Sequence, residues 1–367
     1  MNQRSNNVLK SITLLGLSVM AFAARANDIE TARSTIKVME YNVENLFDTV
    51  HDDGKEDWAY LPLSTKKSDP RVKAACAKET NPTFKRECLE LDWSPKTLQS
   101  KITNIASVIT SSFGGTGPDV IIFEEVENFA VLQDLQRNGL RNKGYNEIIL
   151  IEGPDSRGID TAILSKLPLE ATTSHRIALP DLNGKEAHAT RDILEATFKV
   201  GSKKLTVFAN HWPSQGNPGA NRIAAAETLV KYARAAGARG ESVLAMGDFN
   251  SLLEEIKGPI GEVLNKDFVD GVEERVTNGT VKTTMPGSHW FRGGWSFLDR
   301  AYILKTETQM KIDWNDLDVY APEFALRVNE YRRRDGSIEK TFIPFRYNAE
   351  QGTGYSDHLP LTLTLSL

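Results

Sequence analysis

Cysteine is scarce in this chain of 367 residues: there are two, Cys76 and Cys88. With no third thiol and no His between or near them, they do not read as a zinc site. In an oxidising compartment such a pair forms one disulfide, and two free thiols is the other reading. Positive charge is also short, with 44 Lys and Arg against 49 Asp and Glu. An acidic protein cannot hold a polyanion through its overall field. Any phosphate or nucleic-acid site must therefore be a local cluster, helped by a metal. Internal repeats and low-complexity tracts are absent, and no Pro/Gly linker divides the chain, so one domain is the simplest organisation.

Long apolar runs are missing too. The longest candidate, Ile12 to Ala24, falls well short of the ~20 residues a membrane-spanning helix needs. It follows the basic residues Arg4 and Lys10 and precedes Ala24-Arg25-Ala26, with small residues where signal peptidase requires them. Residues 1–26 are thus expected to be a cleaved signal peptide, and residues 27–367 the mature domain, located in the periplasm or the medium. Removing Arg4, Lys10 and Arg25 makes the remainder more acidic still. Stable membrane insertion is not expected, and the expected state is a monomer.

What remains reads as mixed α/β. Ile36 to Val43 predicts a first strand. Asp48 to Trp93 is polar, contains both cysteines and reads as an insertion outside the core. Ser94-Pro95 predicts a helix start, since Ser caps and Pro suits the first turn, and Leu98, Ile102, Ile105 and Ile109 follow at helical spacing. Val120-Ile121-Ile122-Phe123 predicts a buried strand. Further strands are predicted at 161–164, 194–200, 205–209 and 243–246, and a helix at 222–234. Alternating Leu361, Leu363, Leu365 and Leu367 predict a half-buried last strand.

Polar residues recur where these strands end. Asn42 ends the first; Glu124-Glu125 follows Phe123; Asn210-His211 follows Ala209; Gly247-Asp248-Phe249-Asn250 follows Met246; Ser356-Asp357-His358 precedes the last. One Asp after a strand is usually a turn former. Five such sites built from Asn, Glu, Asp and His indicate chemistry on rigid supports. Phosphodiester hydrolysis needs a cation on the non-bridging oxygens, an oriented water and help for the leaving oxygen. Carboxylate and amide oxygens suit Mg²⁺, with Mn²⁺ or Ca²⁺ as alternatives. Histidines near neutral pKa suit acid, base or donor roles.

Together, Tyr41-Asn42-Val43-Glu44-Asn45, Pro118-Asp119 through Val126, Gly-Asp-Phe-Asn at 247–250 and Ser-Asp-His at 356–358 resemble the endonuclease/exonuclease/phosphatase superfamily. That resemblance implies a four-layered sandwich of two packed β-sheets flanked by helices. It implies Glu125 as metal ligand with Asn42 beside it, where the family often has Gln at the position of Glu124, and Asp357 as an added metal contact. It implies that Asp248 and Asn250 orient water and phosphate, and that His211 and His358 flank the phosphate. Asp299 would orient His358, and Asp192 would pair with His211, where deoxyribonucleases have Glu. Arg222, after the loop Asn217-Pro218-Gly219, reads either as a phosphate contact or as part of a solvated helix face. Trp212-Pro213-Ser214 reads as loop packing before substrate stacking. The acids around His51 read as a solvated loop before a Ca²⁺ site, and His175, His188 and His289 as structural or exposed. The expected function is an exported metal-dependent nuclease acting on DNA, with RNA as a further substrate. A lipid phosphodiesterase or phosphomonoesterase on the same scaffold is the alternative. A sphingomyelinase-like enzyme would carry an exposed aromatic hairpin; no clear one is read in the sequence, though Trp290-Phe291 and Trp295 keep that alternative open.

Overall fold

The computed structural model describes residues 35–181, 189–275, 283–332 and 335–367. The expected signal peptide and His188 lie outside the described residues. Two sheets dominate. The first runs Lys311–Ile312, Leu361–Ser366, Thr35–Leu46, Val120–Val126, Asp160–Ser165, Glu147–Leu150, and Asp318–Val319 also pairs with Leu361–Ser366. The second runs Leu169–His175, Ile193–Val200, Lys203–His211, Ser242–Asp248, Asp299–Leu304, Phe268–Asp270.

Each sheet contains one parallel pair, and each pair is joined through a long helix, as a parallel connection requires. Pro95–Ser111 carries the chain from Thr35–Leu46 to Val120–Val126, and Gly219–Ala238 from Lys203–His211 to Ser242–Asp248. The Ser94 side chain accepts from the Thr97 amide, so the helix begins where its sequence predicts. These two crossovers point the carboxyl ends of four strands the same way within their sheets. Those ends carry Asn42, Glu124-Glu125, His211 and Asp248.

The sheets pack face to face. Ile36, Val38, Val120, Ile122 and Ile163 from the first meet Leu194, Ala196, Val207, Leu244 and Met246 from the second. The outer face of the first sheet is covered by Leu98, Ile102, Ile105 and Ile109 of the first long helix. Ala225, Ala226, Leu229, Val230 and Ala233 of the second long helix cover the other. Alternate residues of each strand thus serve two cores, which is why the strands read as continuous apolar runs. The four-layered α/β sandwich is the observed fold.

The polar stretch from Asp48 to Trp93 adds helices beside these cores. Leu63–Ser68, Pro70–Cys76 and Pro82–Glu90 surround a small cluster of Leu61, Val72 and Cys76. Asp69 and Asn81 cap the last two helices, each with Pro in the first turn. Their amphipathic stripes are too short to stand out in sequence. Cys76 and Cys88 form the disulfide that ties these two helices. Among the described residues, no helix is long and apolar enough to cross a membrane.

Closing a loop of twelve residues' separation with a disulfide restricts the unfolded chain by roughly 3 kcal/mol in the chain-entropy model. Replacing both cysteines by Ala should lower unfolding free energy by about that amount. Urea titration of wild type and variant measures it, and identical midpoints would refute a stabilising role.

Candidate active site

Two strands are bulged where they leave the sandwich. Pairing between Thr35–Leu46 and Val120–Val126 slips between Asn42 and Leu46, and pairing of Val120–Val126 with Asp160–Ser165 slips between Phe123 and Val126. Bulges re-aim side chains beside functional sites. Here they bring Glu44, Asn45 and Glu125 to φ of 53°, 60° and 63°, and Asn250 sits at 48°. Non-Gly residues in this region are uncommon, and such strain concentrates where function requires a fixed direction. The Asn45 amide bonds Glu125 Oε2 at 3.0 Å and holds that carboxylate at the cavity wall.

In the second sheet three chemical groups lie abreast. His211 is the register partner of Asp248, and Asp248 of Asp299, so the three point from one face of adjacent strands. Gly247 permits this: a Cβ there would meet the Asn210 carbonyl oxygen at 2.0 Å. Asp248 accepts from the Asn250 amide at 2.8 Å, Asn250 Nδ2 at 3.0 Å and Asn42 Nδ2 at 3.2 Å, which links it to the first sheet. Ser356 donates to the Asn42 carbonyl at 2.6 Å and accepts from the His358 amide at 3.1 Å, fixing the last loop on the first strand. His358 Nδ1 lies 2.8 Å from Asp299 Oδ2.

Electrostatics then separate the groups. Burial disfavours a charge on His358, but Asp299 overrides it and raises the imidazole well above its ordinary value. Burial likewise opposes ionisation of Asp299, and His358 holds it below the usual range. Burial pushes Asp248 up to about 7, with the charge of Asp299 adding to it. His211 is lowered well below its ordinary value by burial and by Arg191, Arg157 and His358, so it is neutral. Its Nε2 stands 3.7 Å from Asp248 Oδ2 and 4.0 Å from Glu125 Oε1.

These groups share one cavity of about 960 Å³ whose wall includes Glu125, His211, Asp248, Asn250, Asp357 and His358. Arg157, Arg191, Arg327 and Arg346 also line it, with Trp290 and Phe291 at its apolar side. A divalent cation fits this donor set. Glu125 keeps an oxygen toward the cavity, Asp357 is 30% exposed with Arg346 4.0 Å away, and Asn42 Oδ1 is an amide oxygen nearby. Asp248, Asp299 and His358 also present ligand atoms within 4.8 Å of one another. Asp248 already accepts three hydrogen bonds and Asp299 holds His358, whereas Glu125 and Asp357 face the cavity, with Asn42 Oδ1 accepting only the Glu44 amide.

Two expectations are corrected. Asp192 does not pair with His211, whose Nδ1 is buried without a partner. Asp192 faces Arg176 at 3.0 Å and Ser174 at 3.4 Å, while its neighbour Arg191 points the other way, to the Trp212 carbonyl and Asp155. Adjacent residues at a strand's start alternate sides, and Arg191 has taken the inward one. Arg222 is buried, and its guanidinium is spent on Glu255 and the carbonyls of Pro213, Ser214 and Asn217. It shapes the loop after His211 and does not face substrate. Trp212 is fully buried, its indole donating to Asn210, which is loop packing.

Other groups were missed. Glu40 is fully buried beside Glu124, and neither carboxyl finds an N–H or hydroxyl donor, so their close neighbours are each other and, for Glu40, Asp299. Burial, then neighbouring carboxylates, raises both well above the usual range. As neutral acids they can donate, Glu40 toward Glu124 and Asp299. The sequence signal was an acid sharing a strand face with Val38 and Asn42. His289 lines the cavity, where the sequence leaves it unassigned. A two-residue turn, Arg292-Gly293 with both φ positive, closes the hairpin His289–Phe291/Gly294–Ser296 and leaves Phe291 exposed. A second hairpin, Leu326–Arg332/Ile338–Pro344, brings Arg327 and Ile343 to the wall.

A model of the Endonuclease/Exonuclease/phosphatase family matches residues 78–366. No curated protein sequence matches. Truncated Caenorhabditis elegans TDP2 superposes with a TM-score of 0.50 at 15% identity, covering 91% of this chain and 98% of that one. An endonuclease/exonuclease/phosphatase family protein from Bacteroides thetaiotaomicron gives 0.52 at 14% identity, covering 90% and 97%. The mannosyl-6-phosphatase Bt3783 of the same organism gives 0.52 at 13%, covering 90% and 100%. At these identities the likeness is one of fold.

The Asp299–His358 pair carries a pH signature. The raised His358 contributes stability that is complete below ~6.5 and lost as pH rises through its folded value. The lowered Asp299 contributes stability that is complete above ~3.9 and lost as pH falls through its folded value. The pair is therefore fully effective between roughly pH 4 and 6.5. NMR titration of the metal-free protein should find the His358 midpoint above ~6.5. Asp299→Asn should lower it. An unchanged midpoint would show that Asp299 does not hold the proton there.

Proposed function

The chain belongs to the endonuclease/exonuclease/phosphatase family, and from that premise we propose that it is an exported, Mg²⁺-dependent endonuclease hydrolysing DNA, with RNA as a further substrate. Members of this family are phosphoric-ester hydrolases. The observation that carries the finer reading is the composition of the cavity wall. Two histidines, Asp248, Asn250 and Glu125 converge there with Arg157, Arg327 and Arg346. In an acidic chain these arginines, Arg157 beside Asp155 and Arg346 bonded to Glu44, are the local cations that a polyanionic backbone can meet.

The residues divide the work. Asp248, anchored by three hydrogen bonds and raised to about 7, accepts the proton of the attacking water, which Asn250 helps place. His358, kept cationic by Asp299, donates to a phosphoryl oxygen, and neutral His211 donates from the Asp248 side. Glu125, Asn42 and Asp357 would hold a divalent cation, which would supply neutralisation of the phosphate charge. The cleaved leader would deliver a mature chain beginning at Asn27 to the periplasm or medium, acting there as a monomer.

A lipid phosphodiesterase is the second reading, favoured by one observation: Phe291, Val328, Ile338 and Phe342 on the two hairpins are 61%, 55%, 57% and 54% exposed. Exposed apolar patches of this kind mark interaction surfaces.

Purified protein should convert supercoiled plasmid to nicked circles with Mg²⁺ and stop with EDTA. His358→Ala and His211→Ala should each lower kcat by about 10²–10⁴-fold, and Glu125→Gln should raise the metal requirement. Intact plasmid beside hydrolysed sphingomyelin vesicles would replace the nuclease reading by the lipid one. Protein recovered from the periplasm should begin at Asn27, and an intact Met1 would remove the export proposal.

A further inference from the structure

His289 is held where it stands by backbone. It forms an antiparallel bridge with His358, and the Leu359 amide donates to the Ser288 carbonyl at 2.8 Å. The fully buried Ser288 also takes the Asp299 amide on its hydroxyl at 3.4 Å. Residues 288–289 therefore touch both members of the Asp299–His358 pair, through the Ser288 hydroxyl and through main chain, and the His289 backbone is fixed beside them. The ring centroid of His289 is 4.6 Å from that of His358 and 6.2 Å from that of Phe291. Side chains two apart on a strand share a face. The three rings thus form a column from the cavity mouth, where Phe291 is exposed, to the reaction centre.

The polar atoms of this column are unequally satisfied. His358 gives Nδ1 to Asp299. His289 has no hydrogen bond to either ring nitrogen among the described residues, and its Nδ1 is buried without a partner. A buried polar atom left alone is costly, and in native structures such an atom calls for an explanation. Phe, Leu or Met would pack against His358 without that cost. Burial, then the cationic His358, pushes His289 down to about 4, so the ring is neutral and carries one N–H and one lone pair. A neutral donor can approach a phosphoryl oxygen without competing with His358 for the negative charge of Asp299.

We infer that His289 is a third catalytic histidine, donating a hydrogen bond from its imidazole to an oxygen of the phosphoester bound against His358. The inference rests on phosphoester hydrolysis in this cavity and does not depend on the substrate being nucleic acid. It also gives the hairpin a purpose: a group resting on Phe291 is placed in register with His289 and His358 by one short piece of rigid backbone.

His289→Phe keeps a flat ring against His358 and removes both nitrogens; His289→Gln keeps a donor and loses the ring. Initial rates on bis(p-nitrophenyl) phosphate and on plasmid, with thermal melts alongside, separate the two contributions. His289→Phe should lower kcat about 10- to 100-fold on the synthetic diester with KM within about threefold, since a donor aimed at developing charge acts mainly in the transition state. His289→Gln should be at least about fivefold faster than His289→Phe. A folded His289→Phe within about threefold of wild type, or a Gln variant no better than Phe, would overturn the role. Should His289→Phe fail to fold, the same comparison is made between His289→Ala and His289→Gln. Wild type that cleaves the synthetic diester and leaves plasmid intact would remove the nuclease reading while the histidine comparison still stands.

Discussion

The contact between Asp299 and His358 sets the charge state of everything around it. Four acids, Glu40, Glu124, Asp248 and Asp299, are buried close together where the sheets meet. A low-dielectric interior does not tolerate four neighbouring carboxylates, so protons must be retained. His358 bonds Asp299 directly, and that bond decides which acid ionises. Glu40 and Glu124 then keep their protons and become donors, and Asp248 is left near neutrality, where a group can accept a proton in one step and release it in the next. One ion pair, formed between strands distant in sequence, thus assigns the protonation of its neighbours.

Geometry is imposed by the sandwich. Asn42 comes from one sheet and Asp248 from the other, and the hydrogen bond between them closes only because the inner faces are packed at fixed separation by Val38, Ile122, Leu244 and Met246. The backbone departures at Glu44, Asn45, Glu125 and Asn250 occur just beyond this packed region. Strained conformers persist where surrounding structure over-determines them. Arg346 extends the framework outward: it bonds Glu44 and stands near Asp357, joining the base of the second hairpin to the loops that carry the oxygen donors.

Much of this was legible in sequence, and the failures have physical causes. Strands buried on both faces, such as Val120–Val126 and Ser242–Asp248, announce themselves as apolar runs, and polar groups at their ends stand out by contrast. The helix Pro95–Ser111 was legible from its cap and its spacing. Edge and short elements were not. Leu169–His175 is largely solvent-exposed, and the helices around the disulfide bury few residues each, so neither shows a periodicity. Asp192 and Arg222 misled for a different reason. Proximity in sequence to His211, or to a pattern containing it, says nothing about which side of a strand a side chain leaves, and a pairing elsewhere with Arg176 or Glu255 absorbs the charge. His289 escaped notice because its role comes from a backbone bridge to a residue far along the chain, which no local pattern encodes.

The order of strands in the first sheet has a consequence for biosynthesis. Leu361–Ser366, the last strand, pairs with Thr35–Leu46, the first, and the loop that carries Asp357 and His358 hangs between that strand and the Asn42 carbonyl. Contacts of such long sequence separation form late, after their loop-closure entropy has been met. A chain still being made, or one cut short before its final dozen residues, holds His211 and Asp248 but lacks the imidazole whose charge bears on both. The Asp299–His358 pair is therefore among the last parts of the site to be completed as the chain folds.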